Sequence, residues 1–108
     1  MNYKIFSIPP FDKQLKRLSK KYPSLKIEYS QLLKDLERNP MQGVSIGNDC
    51  YKIRIAIASK NKGKSGGARV ITYVQIKDTS VFLLSIFDKS ENDNIPNSEL
   101  KYLLKLIN

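Results

Sequence analysis

The chain has 108 residues, enough for one compact domain and too few for two. It is 41% hydrophobic and 27% charged, and its 19 Lys and Arg against 10 acids leave a net charge of +9, which favours polyanionic partners. There is no His and only one Cys, which excludes a histidine base, a histidine metal ligand, an internal disulfide and a thiolate cluster. No metal and no cofactor is expected, and any catalysis falls to Lys, Arg, Tyr and carboxylates.

The N-terminus lacks the apolar core of a signal peptide, and no stretch approaches the roughly 18 apolar residues of a membrane span. The expectation is a cytoplasmic chain without a membrane partner, folded as a single domain over residues 1–108.

Residues 2–8 hold Tyr3, Ile5, Phe6 and Ile8 and end at Pro9-Pro10, which predicts a strand turning into a helix. Phe11, Leu15, Leu18 and Tyr22 then recur at helical spacing, with Lys13, Lys16, Arg17, Lys20 and Lys21 on the opposite side. Pro23 ends this helix and Ser24 can cap the next. The second stripe is Leu25, Tyr29, Leu32, Leu33 and Leu36, stopped by Asn39-Pro40. Together these predict a helical hairpin.

The period then changes from helical to alternating. Ile53, Ile55 and Ile57 alternate with Lys52, Arg54 and Ala56, which predicts a strand with one apolar and one basic side. A loop over 59–67 leads to a second strand, 69–76, and a turn at Lys77-Asp78-Thr79 leads to a third, 81–87. A polar loop at 92–97 precedes a final helix over 98–108 with the stripe Leu100, Leu103, Leu104 and Ile107. The fold class is α+β: a small antiparallel sheet, made of the N-terminal strand and a three-strand meander, with the helical hairpin and C-terminal helix packed on it. Helices on one face would leave the other face for a ligand.

The charge is concentrated. Between Cys50 and Lys77 stand Lys52, Arg54, Lys60, Lys62, Lys64, Arg69 and Lys77 with no acid, so this window carries +7 of the +9. Protection of a sheet edge needs one or two charges. Seven without a counter-charge point to phosphate binding, and Gly63, Gly66 and Gly67 in the loop would let backbone approach an anion. Gly63-Lys64-Ser65 ends like a P-loop, but position 58 is Ala and a strand follows, so triphosphate binding is rejected. Cys50 reads as a small buried hydrophobe. Tyr22, Tyr29 and Tyr102 read as core. Tyr51, Tyr73 and Phe87 sit near the basic residues, where base stacking and packing are both open.

Tyr51-Lys52-Ile53-Arg54, the loop Lys60 to Gly67, the run Ala68 to Tyr73, and Val81 to Glu91 resemble, in order and spacing, the RelE/HigB family of toxins from bacterial toxin–antitoxin pairs. The Gly-Lys-Ser-Gly-Gly loop followed by Arg69 is most similar to the HigB-like branch. The resemblance implies a ribosome-dependent messenger RNA endoribonuclease that works in the ribosomal A site, against small-subunit rRNA, and is held inactive by a cognate antitoxin protein. It implies Lys52, Arg54, Arg69 and Lys89 as catalytic residues: Lys52 as base, Arg69 on the scissile phosphate, Lys89 at the leaving group. It implies Lys60, Lys62, Lys64 and Phe87 as RNA-binding. Phe87 stands where the branch often has Tyr, so it can stack but cannot exchange a proton. Ile95 falls near the C-terminal Tyr of other members, and Lys89 replaces an Arg of some. Two other readings use the same chain: a ParE-like inhibitor of DNA gyrase, and a non-catalytic RNA- or ribosome-binding protein.

Overall fold

The β-prone residues before Pro9 form a short strand, and the fixed φ of the two prolines starts a helix at once. The computed structural model describes residues 2–61, 63 and 65–107. Its elements are β1 (Lys4–Ser7), α1 (Pro9–Lys21), α2 (Leu25–Arg38), β2 (Val44–Gly47), β3 (Cys50–Ile55), β4 (Ala68–Gln75), β5 (Ser80–Asp88) and α3 (Asn97–Lys105), with a 3-10 turn at Ala58–Lys60. The α+β class follows directly.

The sheet has five strands in the order β1-β5-β4-β3-β2. The meander β3-β4-β5 is antiparallel as its tight turns require. Two features depart from the expected four-strand sheet. β2 is an additional edge strand, joined to β3 by a two-residue turn at Asn48-Asp49 with φ of 55° and 61°. Both values are the left-handed conformation of a type I′ hairpin turn, which Asn and Asp tolerate. β1, in turn, pairs in parallel with β5, its Lys4 opposite Ser80.

One side of the sheet carries Ile53, Ile55, Val70, Val74, Ile86 and Val81, and the α1–α2 hairpin covers it with Phe11, Leu18, Leu25, Leu32 and Leu36, all buried. Each such side chain contributes about 1.5–3 kcal/mol on burial. β5 carries a bulge opposite Ile71/Thr72, and the Gln14 side-chain oxygen accepts the Ile86 N–H at 3.0 Å and the Ser85 hydroxyl at 3.1 Å. The helix thus satisfies backbone that the ladder leaves over.

The second side is not open, contrary to the expectation of helices on one face. Lys52, Arg54, Arg69, Ile71 and Phe87 share it by register, yet Ile71 and Arg69 are buried. Residues 89–96 cross it on the way to α3: Asp93 and Asn94 bond to Lys52 and Arg69. α3 buries Leu100 and Leu103 in the common core. Tyr102, expected in the core, is 57% exposed, because it lies on the outer side of α3.

Gly67 explains one glycine of the basic loop. A Cβ there would lie 2.1 Å from the Ile55 carbonyl oxygen, so the glycine serves close approach of β3 and β4 rather than of an external anion. Replacing Gly67 by Ala is expected to destabilise the fold by about 1–3 kcal/mol, read as a lower urea midpoint.

Candidate nucleic-acid interface

Strand alternation places Lys52 and Arg54 on one side of β3. The β3–β4–β5 register sets Arg54 opposite Arg69 and Arg69 opposite Phe87, so the three form one row across the sheet. Lys52, opposite Ile71, stands one row along the same side. Like charges directly across a ladder oppose sheet formation, and neighbouring strands are only about 4.8 Å apart. Nothing in the strand pairing itself compensates Arg54 beside Arg69. The row is a place where an anion would be stabilised.

The free chain fills part of that place itself. Arg69 is only 2% exposed, and its guanidinium donates to the carbonyls of Ser65 at 2.9 Å and Ala68 at 3.2 Å. Its Nε lies 3.7 Å from an Asp93 carboxylate oxygen. The Lys52 ammonium donates to the Asn94 side-chain oxygen at 2.6 Å and to the Asp93 carbonyl at 3.4 Å. Asp93-Asn94 therefore engages two of the predicted catalytic cations. Arg54 is exposed, Lys89 half-buried. Lys89 lies one residue past β5, and its N–H donates to the Gly67 carbonyl at 3.0 Å, which holds it beside the start of β4. Phe87 is only 8% exposed.

Lys60 is not brought to this row. Its ammonium bonds to the Asp88 carboxylate on the hairpin side of the sheet and lies 5.7 Å from the centre of the Tyr22 ring. Asp88 is fully buried and also accepts from the Tyr22 hydroxyl at 2.6 Å and from the Ser90 N–H and hydroxyl at 3.0 and 2.8 Å. Burial alone would raise this carboxyl, but the bonds from Lys60, Tyr22 and Ser90 outweigh it and hold it well below the usual carboxylate range. The start of the loop is tied to α2 as well: Glu28 accepts the Ala58 N–H at 2.6 Å and Ser24 the Ser59 N–H at 2.9 Å. Lys62 and Lys64 lie outside the described residues. Asp88, Asp93 and Asn94 were not among the predicted site residues; their proximity in sequence to Lys89 was the one available signal.

Cys50 is fully buried, and burial, aided by Asp49, pushes its thiol up to about 11. It is expected to resist a thiol-specific disulfide reagent at pH 8 in the native chain and to react on unfolding, as absorbance of the released thiolate would show. Among the described residues no group of three or more His, Cys, Asp or Glu is placed to hold a metal, and no helix is long and apolar enough to cross a membrane.

The family model of the RelE toxin of the RelE/RelB toxin–antitoxin system matches residues 4–108. The chain belongs to the RelE toxin family. Solved structures agree on the fold. A double-arginine mutant of the Escherichia coli toxin RelE in the free state superposes with a TM-score of 0.66 at 18% identity, over all of both chains. A chain of the intact E. coli RelBE toxin–antitoxin complex gives 0.61 at 19%, covering 80% of this chain and 95% of that one. A conserved hypothetical protein of Helicobacter pylori gives 0.56 at 19%, covering 82% and 97%. In this RelE toxin the shared sheet carries the row Arg54, Arg69 and Phe87.

Proposed function

We propose that this RelE toxin is a ribosome-dependent endoribonuclease that cleaves messenger RNA in the ribosomal A site and is neutralised by a cognate antitoxin protein. The observation that carries the reading is the row of Arg54 and Arg69 with Lys52 alongside on one side of the sheet. Solved RelE structures that contain the antitoxin RelB support the antitoxin partner.

In this reading the substrate's 2′-OH attacks the adjacent phosphorus, the bond to the 5′-oxygen breaks, and a 2′,3′-cyclic phosphate remains. Lys52 takes the hydroxyl proton, Arg69 and Arg54 stabilise the charged phosphorane, and Lys89 gives a proton to the departing 5′-oxygen. Arg stays protonated, so it serves as an electrostatic clamp and not as a base. The site must first open. The scissile phosphate takes the place of the Asp93 carboxylate at Arg69, and Lys52 must leave Asn94 and give its ammonium proton to water before the neutral amine can accept the hydroxyl proton.

Primer extension on a messenger RNA translated with and without the protein tests this. Cuts that appear only with ribosomes support it. Absence of cuts together with inhibition of DNA supercoiling would assign the chain to gyrase inhibition instead. Ribosome binding without cuts would make it a non-catalytic binder.

A further inference from the structure

The α1 stripe carries a second basic surface that the catalytic reading leaves unused. Lys13, Lys16, Arg17, Lys20 and Lys21 follow the spacing of one helix face, and all five are exposed. The only acid of α1 is Asp12, which accepts a hydrogen bond from the Ser7 hydroxyl at 2.6 Å. Among the described residues one ion pair reaches the stripe, Arg17 with Glu91 at 3.6 Å, and both side chains are largely exposed, so it neutralises little. Lys26 joins Lys16 and Lys20 along the rim of the α1–α2 groove. The neighbouring helix differs: α2 alternates Lys26, Lys34 and Arg38 with Glu28, Asp35 and Glu37 and is neutral overall. Like charges one turn apart work against helix formation, so α1 keeps this pattern against its own stability.

Part of the charge of the basic window is already committed within the fold, with Lys60 on Asp88 and Arg69 beside Asp93. The stripe is thus an extended cationic surface in its own right, and it lies on the other side of the sheet from Arg54 and Arg69. The shortest principal extent of the molecule is 23 Å. A single short RNA strand in the cleaving site does not reach both surfaces. A ribonucleoprotein cleft presents RNA on both.

We propose that the α1 stripe docks on the phosphate backbone of double-helical ribosomal RNA and anchors the toxin while the opposite side of the sheet meets the messenger. This rests on the ribosome-dependent reading above. The stripe runs about 12 Å along the helix, the axial reach of roughly three to four phosphates of one strand of a duplex. No aromatic side chain stands exposed among its cations, so it contacts phosphates and reads no bases.

The test uses the full chain with the stripe neutralised, K13Q/K16Q/R17Q/K20Q/K21Q, beside the control K34Q/R38Q on α2. Binding to purified 70S ribosomes is measured across salt concentrations, with circular dichroism melts to confirm folding. The stripe variant is expected to bind at least about tenfold more weakly near 0.15 M salt, with a salt slope shallower by about two to four, since each of the roughly three to four phosphate contacts contributes about 0.7–0.9. Its cleavage should show a raised KM for ribosomes and an unchanged kcat, and the control should match wild type in both. Wild-type affinity and slope in the stripe variant overturn the proposal while leaving the ribonuclease reading intact. A variant that keeps ribosome affinity but loses an acidic protein partner overturns it too. A wild-type protein that neither binds nor cuts on ribosomes overturns both readings together.

Discussion

Replacing Arg69 by Lys is expected to lower ribosome-dependent cleavage about 100-fold or more, the effect of removing one preorganised donor from a charged transition state. The choice of Lys follows from the burial of Arg69. An Ala would leave a cavity and strand the carbonyls of Ser65 and Ala68, so lost activity would be confounded with lost packing. Lys keeps the charge and much of the volume but loses the planar fork that can hold two phosphate oxygens while still bonding backbone. Single-turnover cleavage on programmed ribosomes gives the rate, and a thermal melt checks the fold. Lys89→Ala is the companion variant, expected to slow cutting without changing ribosome affinity. Unchanged cutting by both variants removes Arg69 and Lys89 from the site.

The second large effect is on stability. Asp88→Asn is expected to destabilise the chain by about 3 kcal/mol at pH 7, because it leaves the mostly buried Lys60 ammonium without its carboxylate. Tyr22→Phe, which removes one hydrogen bond to the same carboxylate, should cost about 1.5–3 kcal/mol. Asp88→Asn combined with Lys60→Met should recover part of the loss, since the stranded charge is gone. The pH dependence follows in sign. Because the folded-state pKa of Asp88 is depressed, its stabilisation is complete above the unfolded carboxylate value near 4 and is lost progressively as pH falls below it. Urea midpoints between pH 7 and pH 3 should therefore fall more steeply for wild type than for Asp88→Asn. Equal slopes would show that this carboxylate does not carry the acid sensitivity. The cluster also ties the loop to the end of β5, one residue before Lys89, so its loss should slow cleavage as well.

Several of these features were legible in the residues. Phe11, Leu18, Leu25, Leu32 and Leu36 announced the hairpin because helical burial repeats over short distances along the chain. Lys52 and Arg54 could be put on one side of a strand for the same reason. β2 was missed although Gly47-Asn48-Asp49 was a turn signal: it is only four residues long, sits at an edge, and is largely exposed, so it lacks a buried alternation. The parallel pairing of β1 with β5 joins residues far apart in sequence and leaves no local mark. Tyr102 lay beside a helix stripe, yet a shift of one position around α3 separates core from solvent.

The structure divides the net charge of +9 among separate surfaces. The sequence by itself determined the α+β class and every element but β2, the basic window, and the absence of His, which leaves any catalysis to Lys, Arg, Tyr and carboxylates. Those properties are local or compositional. Only the tertiary structure decided which cations act together: Arg54 and Arg69 meet across a ladder, Lys60 turns away to a buried carboxylate, and Asp93-Asn94 engages Lys52 and Arg69 in the free chain. The physical reason is that register, burial and the path of a loop over a sheet are set by contacts between distant residues, which no spacing within one segment encodes.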